Sequence, residues 1–397
     1  MTLANGRETL AIPGPSVMPD RVLRAMHRAA PNIYEGELVD MMPGMIADLK
    51  AVARTKGHVA IYISNGHGAW EAAVANTHNR GEKALVLATG SFAKGWAGMA
   101  TAMGVDCEIV DFGRESGVDL ARLAEVLAAD KDHQFKSVLL TQVDTSSSVR
   151  SDVPGIRRVL DEAGHPALLM VDCIACLGSD RFEMDAWGVD VTVAGCQKGL
   201  MTPPGLGFVF FNAKADAMRD DAEYVSSYWD WRPRTRPEAL YQYFCGTAPT
   251  HHLFGLREAL DMIGEEGLEN IWNRHETLAR AVWAAFEAWG QGGPARLNVA
   301  NPAERSHAVT TVSIGAPKGT QLRHWVTEHA GLTLGLGLNM GPNGERSSDS
   351  HFRIAHMGHV NSHMLLGTLA TIESALIALD VPHGPGGVSA AAKICAV

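Results

Sequence analysis

No stretch of this chain approaches the ~20 consecutive apolar residues that a membrane-spanning helix needs, so no such span is expected. The start, MTLANGRETLAIPGPSVMPD, has no positively charged segment leading into a long apolar run and does not read as a secretory signal. Cysteine is scarce: six are scattered without regular spacing through 397 residues, which argues against a disulfide framework. Positive charge is outnumbered, with 34 Lys and Arg against 44 Asp and Glu and a formal net charge of −10. No basic stripe with interleaved aromatics appears, which argues against nucleic acid or an anionic membrane as the main partner. No internal repeat is found, and only the Gly/Ala-rich tail is of low complexity. The expectation is a soluble, reduced, cytoplasmic protein, long enough for two domains rather than one oversized core.

What is present is an alternation. Residues 1–20 read as an irregular arm, because Pro13, Gly14, Pro15 and Pro19 interrupt regular structure. After it, the runs HVAIYIS (58–64), KALVLAT (83–89), SVLLTQV (137–143), ALLMVDC (167–173) and DVTVAGC (190–196) have strand length, are rich in Val, Ile and Leu, and barely alternate. Such runs suit strands covered on both faces. Between them lie the helical patterns GAWEAAVANTH, FAKGWAGMATAMG and DLARLAEVLAA. Strand and helix taking turns predicts an α/β fold with a mostly parallel sheet. GLGFVFFN (205–212) follows its predecessor after too short a loop for a parallel crossover, so it is expected to run antiparallel. From about residue 266 a long helix-prone segment, strand-like AVTTVSIG and a late helix predict a smaller α+β domain. The expected division is an arm (1–20), a large domain (21–265) and a small domain (266–397).

Ligands of open α/β sheets sit beyond the carboxyl ends of the strands. Asp172 ends one apolar run, where a carboxylate is costly without a cationic partner. It reads either as a cap or turn residue or as the partner of a protonated cofactor ring nitrogen. Lys198 follows the next run in the Gly/Pro-rich loop GCQKGLMTPPGLGF. Most lysines are solvated, but a desolvated lysine has a lowered pKa and attacks carbonyls as a neutral amine. The two together are what pyridoxal phosphate requires of a protein. The first run exits into SNGHGAWEAAVAN, where Gly66 and Gly68 flank His67 at a helix start, a place suited to an anion and equally to a plain tight turn.

These pieces, in this order, resemble the class V aminotransferases of pyridoxal-phosphate fold type I, and most of all the serine–glyoxylate and alanine–glyoxylate group. The likeness runs from AIPGPSVMPDRVLRAM to VPHGPGGVSAAA; VDVTVAGCQKGLMTPPGLGF is its most specific segment, followed by SYWDW, GLREALDMI and FRIAHMGH. The resemblance implies a seven-stranded, mostly parallel sheet in the large domain, Lys198 as the Schiff-base lysine and Asp172 on the pyridine nitrogen. It implies that Gly66, His67 and Gln197 serve the phosphate, that Phe92 and Ile174 cover the two ring faces, and that Ser146 meets the cofactor or the substrate. Arg353 would clamp the substrate α-carboxylate, with Gly14 of the arm beside it. Thr247 would reach the phosphate of the neighbouring subunit in a homodimer with shared sites. The implied reaction moves the amino group of a small amino acid, by resemblance L-serine, to glyoxylate or another small 2-oxo acid in a ping-pong cycle. Alanine, aspartate or another small amine donor, a lyase on the same fold, and a non-catalytic cofactor-binding scaffold are the alternatives.

The chain departs from the group pattern at NIYEGEL (32–38), at TSSS (145–148), at Phe244 where some relatives use a phosphate-binding tyrosine, and at CGTAP (245–249). No metal site is expected: Cys173 and Cys176 read as small hydrophobes, and His251, His252, His356 and His359 lack accompanying carboxylates. Trp229 and Trp231 are expected at a domain or subunit boundary. GLGLN (335–339) reads as a turn, because it does not open a helix after a strand.

Overall fold

Apolar runs that do not alternate form stable strands only if both faces are covered. The computed structural model, which describes residues 2–341 and 347–397, covers both faces. In the strand Lys83–Ala88, Leu85 and Leu87 enter one buried cluster while Ala84 and Val86 enter another on the opposite face. The sheet has seven strands in the order His58–Ser64, Gly205–Phe211, Val191–Gly195, Leu168–Asp172, Phe135–Thr141, Lys83–Ala88 and Asp106–Asp111. Gly205–Phe211 is antiparallel to both its neighbours, as the short loop before it requires, and the remaining pairings are parallel. Asp106–Asp111 was not legible as a strand. It lies at the sheet edge and is largely exposed, and its charges are what an edge strand carries to discourage further pairing.

A second sheet of five strands follows the order Thr9–Ala11, Leu332–Leu338, Ser347–Ala355, Val309–Ser313 and Arg296–Leu297. Two expectations are corrected here. The arm is not wholly irregular, because Thr9–Ala11 pairs in parallel with Leu332–Leu338. GLGLN is not a turn, because Gly335 and Gly337 belong to that same strand. Gly335 is needed for closeness rather than for bending: a Cβ there would lie 2.7 Å from Pro13 Cδ and 3.2 Å from Arg353 Cβ. The arm can therefore lie flat across the strand that borders Arg353.

The helix Leu268–Gly290 joins the two cores. Leu268, Ile271 and Trp272 pack under the large sheet, while Leu278, Val282, Phe286 and Trp289 pack against the second sheet. Trp231, expected at a boundary, is instead wholly buried and stacks on Phe211 with ring centroids 4.0 Å apart; Trp229 packs beside Tyr62. Among the described residues no helix is long and apolar enough to cross a membrane.

Three histidines are enclosed in this framework. His78 bridges the hydroxyls of Thr77 and Ser137 at 2.8 Å each. His275 donates from Nδ1 to the Ile271 carbonyl (2.7 Å) and accepts the Gly358 amide at Nε2 (2.9 Å). His356 sits between the His307 carbonyl and the Thr310 hydroxyl. Burial pulls their pKa values down to about 4, about 3 and about 4. An unfolded histidine titrates near ~6.5, so below that pH the unfolded chain binds protons that the folded chain refuses. Their contribution is complete above about pH 6.5 and is lost on acidification, by roughly 1.4 kcal/mol per pH unit for each ring. Urea midpoints should fall steadily from pH 7 to pH 4.5, and His78→Gln should make that decline shallower. An unchanged slope in the variant would contradict a neutral, buried His78.

Candidate active site

The carboxyl ends of the large sheet converge on a cavity of about 190 Å³, lined by Asn65, Gly66, His67, Trp70, Phe92, Val143, Thr145, Asp172, Ile174, Ala175, Gln197 and Lys198. Each comes from a strand exit or the helix that follows it. Gly66 opens the helix Gly66–Thr77, Phe92 lies in the first turn of Ser91–Ala102, Asp172 ends its strand, and Lys198 lies in the turn after Val191–Gly195. A larger hollow of about 820 Å³ lies between the helix Leu268–Gly290 and residues 302–307. Its buried guanidinium, Arg305, is already committed to Glu287 at 2.9 Å and to the carbonyls of Val299 and Ala300.

Asp172 is 4% exposed. Burial pushes its carboxyl up to about 7, against two donors that favour the anion: the Ile174 amide on Oδ1 at 2.7 Å and the Trp70 indole on Oδ2 at 3.0 Å. Lys198 is half-buried and lines the cavity. Desolvation lowers its amine to about 8; the nearby Arg353 cation acts in the same direction and the Asp172 carboxylate opposes them. The amine donates to the Pro13 carbonyl of the arm. Gly14 has a φ of 104°, a conformation that any side chain would strain, and a Cβ there would push against the end of the Lys198 side chain. Ser16 completes the junction, its amide on the Gln197 carbonyl (2.9 Å) and its hydroxyl on the Lys198 carbonyl (2.7 Å).

The other predicted residues separate into those at the cavity and those beside it. Phe92 and Ile174 line it, as do Gly66, His67 and Gln197. The His67 amide is already held by Asn65 Oδ1 at 3.0 Å, so the helix start is capped from within the chain. Gln197 Oε1 is buried with no hydrogen-bond partner among the described residues. Ser146 is close to the cavity but turned away. Its hydroxyl donates to Asp144 Oδ1 (2.5 Å) and accepts the Ser91 amide (3.0 Å), and Thr145 faces the cavity in its place. Arg353, 7% exposed, donates to the carbonyls of Leu336 (2.7 Å) and Thr145 (2.9 Å) and has no ion pair among the described residues. Burial draws its guanidinium down to about 10, so it is still a cation at neutral pH. Thr247 is exposed and does not line this chain's cavity; the same holds for Tyr34 of the NIYEGEL segment. Phe244 is core, 1% exposed.

The sequence reading did not single out Asn65, Trp70, Val143, Thr145 and Ala175, which line the cavity, or Asp144 beside it. Asp144 carried the same signal as Asp172, a lone carboxylate at the exit of an apolar run. It is fully buried and caps the helix Ser91–Ala102 through the amides of Phe92 (2.8 Å) and Ala93 (3.3 Å). Trp70 was indistinguishable from a core residue of an amphipathic helix. Cys173 and Cys176 both lie within hydrogen-bond range of Gln142 Oε1, and burial raises both thiols.

The chain is similar to known proteins over nearly its whole length. Residues 23–348 match the family described as aminotransferase class-V. The chain is 36% identical to the serine–glyoxylate aminotransferase of Methylorubrum extorquens, over 98% of this chain and 96% of that protein. It is 34% identical to the L-aspartate–glyoxylate aminotransferase of Paracoccus denitrificans, over 96% and 94%. The crystal structure of ureidoglycine–glyoxylate aminotransferase from Bacillus subtilis superposes with a TM-score of 0.87 over 99% of each chain at 22% identity, a likeness of fold.

The chemistry of the cavity has a direct check. Competitive acetylation of the cofactor-free protein should give Lys198 an apparent pKa near 8. Asp172→Asn should lower it further, since the carboxylate that favours the ammonium is gone. A Lys198 amine titrating above ~10, like a solvated lysine, would contradict the desolvated site.

Proposed function

The chain belongs to the class-V aminotransferase family, and from that premise we propose that it moves the amino group of L-serine to glyoxylate, using Lys198 as base and Asp172 as the ring-nitrogen partner. The cofactor of this family is pyridoxal phosphate, and the residues present fit it. A carboxylate and an amine face one cavity, and an aromatic and an aliphatic side chain line it. When bound, the cofactor supplies a carbonyl for amine exchange and an electron-poor ring that takes up the electron pair released at the substrate Cα.

The chain's own residues supply the rest. Asp172, as the carboxylate, would pair with the ring nitrogen and keep it protonated. Lys198, with an amine near 8, is neutral often enough at physiological pH to take the Cα proton and return it. Phe92 and Ile174 fix the plane in which that proton must leave. Arg353 turns the α-carboxylate so that Cα faces Lys198, and its buried cation without an anionic partner among the described residues is the observation that carries this reading.

Donor choice follows from charge. A donor with a second carboxylate would need a cation besides Arg353, which lies beside the cavity, and among the described residues Lys198 is the only Lys or Arg lining the cavity itself. Burial lowers the His67 pKa and keeps that ring neutral. A short uncharged side chain such as that of serine is therefore favoured over aspartate. Cys395 packs in the helix Gly387–Cys395 against the second core, which leaves it unsuited to a desulfurase-type role. Thr247 is exposed on the segment before the helix Thr250–Glu266 and away from this chain's own cavity, which supports its reading as a hydroxyl donor to the phosphate held by the neighbouring subunit of a homodimer.

Single-turnover spectra of the holoenzyme with a panel of amino acids test the proposal. L-serine should convert the bound cofactor fastest, and glyoxylate should restore it, with parallel double-reciprocal lines in the steady state. Faster conversion by L-aspartate would overturn the donor assignment, and no conversion by any amino acid would overturn the reaction. Arg353→Gln should raise the donor KM by about a hundredfold, since it removes a buried charged contact to the carboxylate. An unchanged KM would remove Arg353 from the site.

A further inference from the structure

Three parts of the candidate site come from different elements: the helix start at Gly66 and His67, the ring-facing Phe92, and the carboxylate of Asp172. One side chain touches all three. Trp70, 1% exposed, packs its indole against His67 (centroids 4.5 Å), meets Phe92 edge-on (6.5 Å) and stacks on Trp96 of the Phe92 helix (6.0 Å, 11° between planes). Its Nε1 donates to Asp172 Oδ2 at 3.0 Å. Indole has a single donor and no acceptor, so this contact is satisfied by a carboxylate oxygen and never by the hydroxyl proton of a neutral acid. Both carboxylate oxygens thus hold one N–H each, from Ile174 and from Trp70, which fixes the rotation of the carboxylate plane about the Cβ–Cγ bond.

We propose that Trp70 is a positioning residue, whose indole N–H keeps Asp172 ionised and oriented toward the cofactor ring nitrogen. The inference rests on the assignment of Asp172 to that nitrogen. It is consistent with the balance at Asp172, where burial and the Asp144 charge favour the neutral acid while the Ile174 amide and Trp70 favour the anion. A leucine at this position would keep the helix face apolar but would leave both a cavity and Asp172 Oδ2 without its indole donor.

The test uses Trp70→Phe, which keeps an aromatic ring and removes the donor, and Trp70→Leu, which removes the ring as well. For each holoenzyme two quantities are read: the dissociation constant of the cofactor, and the pH at which half of it is released on acidification. Loss of a hydrogen bond to a buried carboxylate predicts about a tenfold weaker cofactor and a release midpoint about one pH unit higher. The midpoint shift should be the same in both variants, although Leu lowers the thermal midpoint more. A midpoint unmoved in Phe, or moved in Leu alone, would mean that Trp70 only packs, and would overturn the proposal. If neither variant folds, the indole N–H resonances of the wild-type protein serve instead. Asp172→Asn should then shift the Trp70 signal upfield, and an unmoved spectrum overturns the proposal equally. Asp172→Asn also separates the two readings. If it leaves cofactor affinity intact, the functional assignment of Asp172 fails; if it weakens affinity while Trp70→Phe does not, only the role of Trp70 fails.

Discussion

Desolvation of two groups of opposite charge at adjacent strand ends governs this molecule. The protein around the cavity lifts the Asp172 carboxyl toward neutrality and strips the Lys198 amine of its preference for the proton, bringing both within reach of pH 7. Neither group gains stability from being there. A buried carboxylate costs several kcal/mol unless donors surround it, and the fold meets that cost with the Ile174 amide and the Trp70 indole rather than with a salt bridge. A salt bridge would have quenched the amine. What remains is a site whose charges are incomplete without a ligand, and a buried Arg353 repeats the pattern a few residues from the arm.

The architecture serves that arrangement by bringing separate elements to one point. Parallel strands covered on both faces deliver Asp172 and the Lys198 turn side by side at the carboxyl ends of two adjacent central strands. The arm then does what a loop could not. As a strand it joins the second sheet at Leu332–Leu338, and within a few residues it reaches the Lys198 amine through the Pro13 carbonyl. Arg353 is bound to Leu336 of that same strand and to Thr145 of the large-sheet side. The buried Arg353 guanidinium and the Lys198 amine are thus both tied to backbone carbonyls at the junction of the arm with the second sheet.

Much of this was legible before any coordinates. Asp172, Lys198 and the Gly66 helix start announced themselves because a charge or a glycine pair at the exit of an apolar run is conspicuous, and the antiparallel strand followed from loop length alone. What was not legible has physical reasons. Asp106–Asp111 hid behind the charges an edge strand needs, and Thr9–Ala11 is too short to show a period. GLGLN looked like a turn because its glycines answer to the close approach of Pro13, a tertiary fact. Ser146 and Thr145 could not be told apart by sequence, since which of two adjacent residues faces a cavity depends on Asp144 capturing one of them.

The central claim is covalent and concerns a single nitrogen. Borohydride reduction of the holoenzyme, followed by peptide mass spectrometry, should fix the cofactor to Lys198 and to no other lysine, and Lys198→Ala should abolish both the label and turnover. A reduced label on another residue, or turnover that survives in Lys198→Ala, would contradict the account.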